Sequence, residues 1–341
     1  MSFLPEIQQI EKRIRQSVGT TTSVRSEVLA YSEAGSLRVP IYKISFGSED
    51  PKAPVLGFTG GVHGLERIGA QVCVALMNSL AELVTWDETL QKTLQNVRIF
   101  FIPTVNPIGI IKKTRSNPRG VDLMRNAPVE GDSPAFAVGG QRWSPRIPWY
   151  RGIEGAPMEV EAQALVSAVE KEIAQSSLAI TVDVHSGFGF QDRIWFPYAK
   201  TVKPFPDLPL AYSLKELLDR TYPHHFYRFE PQAQSYTTHG DLWDYLYDNQ
   251  RAKAPQAAYL PLCLEMGSWL WVKKNPWQIF SAEGPFNPIK GHRQRRTLRR
   301  HNTLMEFLIR AVASQKSWAH LSDSQLKDFS HSAKELWYGD T

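Results

Sequence analysis

The spacing of hydrophobic and polar positions along the chain predicts strands and helices in alternation. Residues 25–34 and 37–46 alternate in the manner of strands, with a turn between them at 33–36. Apolar runs typical of strands lie at 54–58, 97–102, 178–184 and 258–264. Apolar residues recur at helical spacing at 7–18, 70–83, 158–174, 210–222, 242–247, 297–312 and 322–337.

Strands and helices that alternate in this way predict an α/β fold. We expect a three-layer sandwich in which a mixed, mostly parallel sheet is flanked by helices. The sequence has no internal repeat and no recognisable linker, which predicts a single domain over residues 1–341. Residues 104–153 have little periodicity and predict an elaborated loop, and helices at about 297–337 are expected to close the chain.

Composition restricts the class of protein further. Apolar residues make up 42% of the sequence and charged residues 21%, as in globular proteins with an ample core. Both cysteines, Cys73 and Cys263, lie in apolar contexts, which favours a reducing compartment. The first residues lack a basic stretch followed by an apolar core, and no apolar run approaches the ~20 residues of a membrane span. We therefore expect a cytoplasmic protein that does not bind a membrane.

The net charge of +5 comes largely from one cluster of lysine and arginine between Lys290 and Arg300. A patch that binds nucleic acid or phosphate is one interpretation of this cluster, and a solvated helix entry is the other. The chain has no long single-sign tail and no repeated aromatic-basic motif. The second interpretation is therefore favoured, and no nucleic-acid partner is expected.

The first candidate for chemistry is His63-Gly64-Leu65-Glu66, which follows a predicted strand and leads into a predicted helix. At this spacing a histidine and a carboxylate can turn to the same side and hold one ion. Zinc is bound by histidine nitrogen and carboxylate oxygen, and catalytic zinc sites use three protein ligands. A His-x-x-Glu pair is by itself a weak signal, because a polar turn without metal has the same sequence.

Other polar residues follow predicted strands elsewhere in the chain. Asp183-Val184-His185 ends the most apolar strand, and Glu265 ends another. Ligands of open α/β sheets gather beyond the carboxyl ends of the strands, so these residues are expected to meet His63 and Glu66. Asp183 is expected to orient a histidine. Glu265 could pair with an arginine or, beside a metal, take a proton from water.

An irregular segment between these strands contains two arginines, Arg115 and Arg125. Arginine binds carboxylates through a two-pronged hydrogen bond. The two arginines stand within Thr114-Arg115-Ser116 and Asp122-Leu123-Met124-Arg125-Asn126.

Taken together and in this order, the motifs resemble the zinc carboxypeptidase family, the carboxypeptidase A-like metallopeptidases. The resemblance covers residues 55–270, and Glu66 and His185 are 119 positions apart, a gap of the family's size. It implies that His63, Glu66 and His185 bind one Zn²⁺ per chain. It also implies that Glu265 is the general base, which returns its proton to the leaving amine.

The resemblance also suggests which residues contact the substrate. Arg125 matches the arginine that polarises the scissile carbonyl and stabilises the oxyanion. Arg115 matches an arginine that holds the substrate carboxylate, although Lys112 is a competing alignment. Tyr236, four residues before Gly240, resembles a mobile tyrosine that closes over the substrate, and an ordinary loop tyrosine is the alternative.

One position departs from the family's pattern. The family has asparagine before the second arginine, where this chain has Met124, next to the candidate substrate residues Arg125 and Asn126. That asparagine helps to bind the C-terminal carboxylate, so recognition of a free carboxylate is in question. Three functions remain open: an amidohydrolase acting on a peptide or peptide-like substrate, a deacylase of N-acyl amino acids resembling the aspartoacylase and succinylglutamate desuccinylase branch, and a non-catalytic relative.

Overall fold

The centre of the fold is one eight-stranded sheet. A computed structural model of the chain describes residues 4–17 and 24–339. The strands in chain order are β1 (Val24–Ala34), β2 (Leu37–Gly47), β3 (Val55–Gly60), β4 (Arg98–Ile102), β5 (Leu178–Ser186), β6 (Arg193–Phe196), β7 (Arg228–Pro231) and β8 (Ala258–Met266).

The sheet has the strand order β1-β2-β4-β3-β5-β8-β6-β7. Strands β4, β3, β5 and β8 run parallel to one another, and β6 and β7 form a further parallel pair. The pairings β1/β2, β2/β4 and β6/β8 are antiparallel. The expected mixed, mostly parallel sheet is therefore confirmed. Its central strands β3, β4 and β5 are buried along their whole length, which explains their uninterrupted apolar sequences.

Helices flank the sheet. In chain order they are α1 (Pro5–Ser17), α2 (Arg67–Leu83), α3 (Glu88–Leu94), α4 (Pro107–Lys112), α5 (Val160–Ile173), α6 (Leu208–Thr221), α7 (Leu242–Lys253), α8 (Trp269–Lys274), α9 (Gly291–Arg300), α10 (Asn302–Ala313) and α11 (Asp323–Tyr338). Helices α2 and α10 pack on β3 and β5, whereas α5 packs on β1 and α7 on β8. This arrangement confirms the predicted α/β sandwich.

A glycine sets the closest contact between helix and sheet. A Cβ atom at Gly69, in the first turn of α2, would lie 2.2 Å from the carbonyl oxygen of Val184 in β5. The absent side chain lets the start of α2 rest directly on the end of β5. The residues that follow β3 are thereby brought next to those that end β5.

Several predicted elements differ from the observed ones. The predicted loop 104–153 contains helix α4 and a 3₁₀ turn at Leu123–Arg125. The predicted helix 297–312 is two helices, α9 and α10, which meet at His301. Strands β6 and β7 were not predicted because four residues are too few for a periodic pattern. The predicted helix 7–18 is observed to Ser17, and residue 18 lies outside the described ranges.

Within residues 4–17 and 24–339, no single helix combines the length and apolar character that crossing a membrane requires. A bent pair, α2 with α3, meets this criterion by length and composition alone.

Candidate metal centre

Two parallel strands bring the predicted metal ligands together. His63 and Glu66 lie in the turn between β3 and α2, and His185 lies near the end of β5. Strands β3 and β5 are neighbours, with Gly60 paired to Val184, so both pieces emerge at the same edge of the sheet. One ligand atom from each of the three side chains lies within 4.8 Å of the others, and all three residues are buried.

Each imidazole is held by a carboxylate on its distal side. His63 Nδ1 lies 2.9 Å from Glu66 Oε1, and its Nε2 lies 2.9 Å from Asp122 Oδ1. His185 repeats the pattern, with Nδ1 2.9 Å from Glu66 Oε2 and Nε2 2.6 Å from Asp183 Oδ2. A carboxylate at Nε2 fixes the proton there and leaves the Nδ1 lone pair for a metal. Two nitrogens and a carboxylate that converge in this way fit Zn²⁺.

Asp122 is the fully buried anchor behind His63. Its Oδ2 accepts a hydrogen bond from Arg115 Nε at 2.8 Å, and its Oδ1 also accepts from the amide of Met124 at 3.1 Å. Burial alone would raise the pKa of Asp122, but Arg115, His63 and Arg125 together hold it well below its usual range. The carboxylate is therefore a fixed negative charge.

Asp183 has the same role behind His185 and has no exposed surface. Its Oδ2 also accepts from Trp243 Nε1 at 2.9 Å, and its Oδ1 accepts from the Thr59 hydroxyl at 2.7 Å. Burial opposes ionisation, yet the contact with His185 and these hydrogen bonds lower the pKa of Asp183. The prediction that Asp183 orients a histidine agrees with this geometry.

Glu66 stands at the centre of the group. Its Oε2 accepts from the Ser186 amide at 3.0 Å, and its Oε1 lies 3.3 Å from Arg115 Nη1. Burial would raise the pKa of Glu66, but His63 and His185 hold it well below its usual range. The carboxylate is thus kept ionised, as a metal ligand must be.

Glu265 lies beside the group on β8, where it pairs in register with His185. It is buried, and its Oε1 accepts a hydrogen bond from the Phe188 amide at 2.9 Å. Burial and the nearby Glu66 raise the pKa of Glu265 to about 8. A carboxylate next to the His–Glu–His group, with an affinity for protons well above that of an ordinary glutamate, is suited to proton transfer.

Arg125 lies in a buried 3₁₀ turn, with 5% of its side chain exposed. Its Nε donates to the Val138 carbonyl at 2.8 Å, and Nη1 lies 3.9 Å from Asp122 Oδ2. The carbonyl belongs to the long segment after residue 126, so this segment fixes the guanidinium.

Tyr236 is half-buried and close to Arg125. Its ring packs against Phe188 and Trp195 at centroid distances of 5.9 and 6.1 Å. Burial raises the pKa of its phenol, so the hydroxyl is neutral. Gly240 fixes this loop: its φ is +69°, and a Cβ there would lie 1.9 Å from the Arg125 carbonyl oxygen. Tyr236 therefore lies on the Arg125 side of the site.

Arg115 and Lys112 differ in their surroundings. Arg115 already bonds to two buried carboxylates, Asp122 and Glu66, and 18% of its side chain is exposed. Lys112, at the end of α4, is exposed. The contacts of Arg115 favour a role in positioning the metal ligands, and its predicted contact with a substrate carboxylate stays a prediction.

Met124 and Asn126 flank Arg125 but face different surroundings. Met124 is 7% exposed and belongs to the hydrophobic core. The Asn126 amide donates to the Arg151 carbonyl at 2.9 Å and accepts from the Glu159 amide at 2.6 Å. These bonds tie the segment to the start of α5, so the predicted substrate contact of Asn126 has no support from its geometry.

The sequence did not identify every residue that builds the site. The sequence does not reveal the role of Asp122 behind His63, although Asp122 lies in the same motif as Arg125. The hydrogen bond from Trp243 to Asp183 could not be predicted from the sequence, because it depends on how α7 packs against the sheet. The amides of Ser186 and Phe188 hold the two glutamates, and a backbone donor leaves no mark in a sequence.

The fold and the ligand geometry together define the carboxypeptidase A-like class. A family model described as "Zinc carboxypeptidase" matches residues 26–270. The chain therefore belongs to the zinc carboxypeptidase family, as its motifs predicted.

Curated relatives include both enzymes and proteins described as inactive. Carboxypeptidase A4 of Mus musculus is 25% identical over 229 residues, 62% of this chain and 52% of that protein. The inactive metallocarboxypeptidase ECM14 of Arthroderma otae is 26% identical over 206 residues, 56% of this chain and 32% of that protein. The chain thus spans about half the length of the first relative and a third of the second.

Solved structures share the fold. Thrombin activatable fibrinolysis inhibitor superposes with a TM-score of 0.65 at 18% identity, covering 89% of this chain and 72% of that one. The bovine protein, solved in complex with tick carboxypeptidase inhibitor, gives 0.63 at 17% identity, covering 91% and 96%. At these identities the similarity shows the fold alone.

Proposed function

We propose that the chain is a zinc-dependent hydrolase that cleaves an amide bond in a peptide or peptide-like substrate. The observation that carries the proposal is the buried carboxylate of Glu265 beside the His63–Glu66–His185 group. A protein that only binds metal has no need of a second, proton-binding glutamate there. Membership of a family that contains carboxypeptidases supports the same reaction class.

His63, Glu66 and His185 would hold the zinc ion. When bound, zinc supplies a Lewis acid that polarises a carbonyl and lowers the pKa of water. Glu265 accepts the proton of the attacking water and delivers it to the leaving amine. The hydrogen bond from the Phe188 amide holds the Glu265 carboxylate in place for this transfer.

Other residues of the chain position and stabilise the reacting groups. Arg125 directs a guanidinium at the carbonyl oxygen as negative charge develops there. Tyr236, whose hydroxyl stays neutral, can donate a hydrogen bond from the same side. Asp122 and Asp183 keep both imidazoles in the orientation that the metal requires.

The proposal is tested with the zinc-loaded protein and three substrate sets: peptides with a free C-terminus, the same peptides amidated, and N-acyl amino acids. Hydrolysis of either peptide set is expected. Activity confined to N-acyl amino acids would favour a deacylase, and inactivity of the metal-replete protein on all three sets would favour a non-catalytic relative.

The second arm of the test replaces the proposed base. Glu265→Gln should keep the metal and the fold but lose about 10²–10⁴-fold in kcat, the usual contribution of a general base. Glu335→Gln, which makes the same change on the exposed side of α11, serves as the control and should be fully active. Turnover of Glu265→Gln within a few-fold of wild type would reject the assignment.

A further inference from the structure

The positive charge of the protein is concentrated in residues 269–300. This segment has eight lysines and arginines and a single acidic residue, Glu283. It leaves 31 of the 39 basic and 33 of the 34 acidic residues elsewhere, a net charge of −2 against +5 for the whole chain. The segment therefore accounts for all of the excess positive charge.

The same segment exposes large apolar side chains. Trp277 and Phe280 are 79% and 81% exposed, and their rings lie 5.9 Å apart. Ile279 and Ile289 are 45% and 55% exposed. Single exposed apolar residues are ordinary on a protein surface. Several in one short segment indicate a surface that binds another protein or a membrane.

Exposed cations without ion-pair partners among the described residues lie in the same segment as these apolar side chains. On α9, His292, Arg295, Arg296 and Arg299 are exposed at the spacing of one helical face, whereas Thr297 on another face is buried. Lys273, Lys274 and Lys290 are also exposed. Over the ranges that the structure covers, none of these lysines and arginines takes part in an ion pair. The cations are therefore available to an anionic partner.

Hydrogen bonds join the cationic helix α9 to α8, the helix that immediately precedes Trp277 and Phe280 in the chain. Arg293, at the start of α9, donates from Nη1 to the Trp271 carbonyl at 3.4 Å and from Nη2 to the Lys274 carbonyl at 3.3 Å. The end of α8 and the start of α9 are thus adjacent. The exposed apolar residues and cations of 269–300 are named the basic-aromatic patch.

We propose that the basic-aromatic patch docks on a bilayer surface that contains anionic phospholipid. Exposed tryptophan and phenylalanine beside lysine and arginine is the combination found where proteins insert into the interface of a membrane. Each lysine or arginine near an anionic bilayer contributes about 1 kcal/mol, or on the order of fivefold in partitioning. This proposal replaces the expectation from the sequence that no membrane is bound.

A nucleic acid is the competing anionic partner. Aromatic rings and arginines would serve it as well, since bases stack on aromatic side chains. Ile279 and Ile289, however, are exposed in the same segment and offer a base no stacking surface. A bilayer interface accommodates aliphatic and aromatic side chains alike, so the patch as a whole fits a membrane better.

The patch is attached to the candidate metal centre. Asn287 donates to the Leu65 carbonyl at 2.7 Å and accepts from the Ile68 amide at 2.8 Å, and these residues bracket Glu66. The Ser186 hydroxyl donates to the Phe286 carbonyl at 2.8 Å. Docking through the patch would hold the metal centre near the bilayer, within reach of substrates at that surface.

Sedimentation with vesicles tests the proposal without any measurement of hydrolysis. The full-length protein is mixed with vesicles of phosphatidylcholine alone or of phosphatidylcholine with phosphatidylglycerol, at low and at high salt. We expect binding only to the mixed vesicles, weakened by salt because the Debye length shortens. Single-stranded DNA is the second probe.

Two variants separate the contribution of the cations to vesicle binding from that of the aromatic side chains. Arg295→Gln/Arg296→Gln/Arg299→Gln should weaken partitioning by about 100-fold at about fivefold per cation. The control Lys316→Gln/Lys327→Gln/Lys334→Gln removes the same charge from exposed positions outside the patch and should bind as wild type.

Trp277→Ala/Phe280→Ala should also abolish most vesicle binding. Its control, Trp86→Ala/Leu336→Ala, removes side chains that are 69% and 51% exposed elsewhere and should have no effect. Absence of wild-type binding to the mixed vesicles overturns the proposal. So does binding of DNA without vesicles, or vesicle binding that survives loss of Trp277 and Phe280.

Discussion

Replacing Asp183 by asparagine removes the negative charge behind His185 but keeps the size and shape of the side chain. The carboxylate makes three contacts: Oδ2 with His185 Nε2 at 2.6 Å and Trp243 Nε1 at 2.9 Å, and Oδ1 with the Thr59 hydroxyl at 2.7 Å. An asparagine can keep all three. Its oxygen accepts from the imidazole and the indole, and its amide donates to the hydroxyl, which accepts as readily as it donates. Asp183→Asn should therefore fold normally.

The variant should nevertheless lose zinc affinity, and the cause is electrostatic. Without the negative charge the imidazole is less basic, and changes in such supporting groups cost about 10- to 100-fold in metal affinity. This corresponds to about 1.4–2.8 kcal/mol of binding free energy. Zinc affinity is measured by competition with a fluorescent chelator near neutral pH, and the thermal midpoint of the apoprotein reports on folding.

Thr59→Val is the matched control, since it removes one hydrogen bond from Asp183 but keeps the charge and the contact with His185. We expect its zinc affinity to stay within about threefold of wild type, well below the range for loss of the supporting carboxylate. Zinc affinity of Asp183→Asn within twofold of wild type would refute the role of the carboxylate. Equal losses in both variants would show that packing, not charge, is responsible.

Two further predictions concern specificity and pH. If residue 124 contacts the substrate carboxylate, as the resemblance implies, Met124→Asn supplies an amide donor there, and the ratio of kcat/KM for free-acid over amidated peptides should rise by about 10- to 150-fold. A wild type that already prefers free acids strongly, with no change in the variant, contradicts that contact. Burial and Arg300 lower the pKa of His301 to about 3. Below pH ~6.5 the unfolded histidine gains a proton that the folded one excludes, so the free energy of unfolding should fall by about 1.4 kcal/mol per pH unit towards pH 3. His301→Gln should flatten this slope in denaturant titrations at several pH values, and an unchanged slope excludes His301 as its source.

The fold could be predicted where the sequence alone carries the signal. The strands beneath the metal centre are buried on both faces, so their apolar runs were recognisable. The boundary between α9 and α10 could not be predicted, because the helical pattern continues through His301, where the two helices meet and the imidazole hydrogen-bonds to the Tyr227 hydroxyl. A helix as short as α4 shows no recognisable periodicity of apolar residues.

The site residues likewise divide into those that the sequence predicted and those that it could not. His63, Glu66, His185 and Glu265 were found because each follows a recognisable strand, and parallel strands end at one edge of a sheet. The pairing of Arg115 with buried carboxylates depends on the path of an irregular loop that has no period. The exposure of Trp277 could not be read from the sequence, since the same residue type fills the core at Trp243.

Anomalous scattering at the zinc edge from crystals of the zinc-loaded protein tests directly whether His63, Glu66 and His185 bind zinc. We expect one peak per chain, about 2.0–2.2 Å from Nδ1 of His63, Nδ1 of His185 and a carboxylate oxygen of Glu66. A peak at other side chains, or no peak after zinc loading, would contradict it.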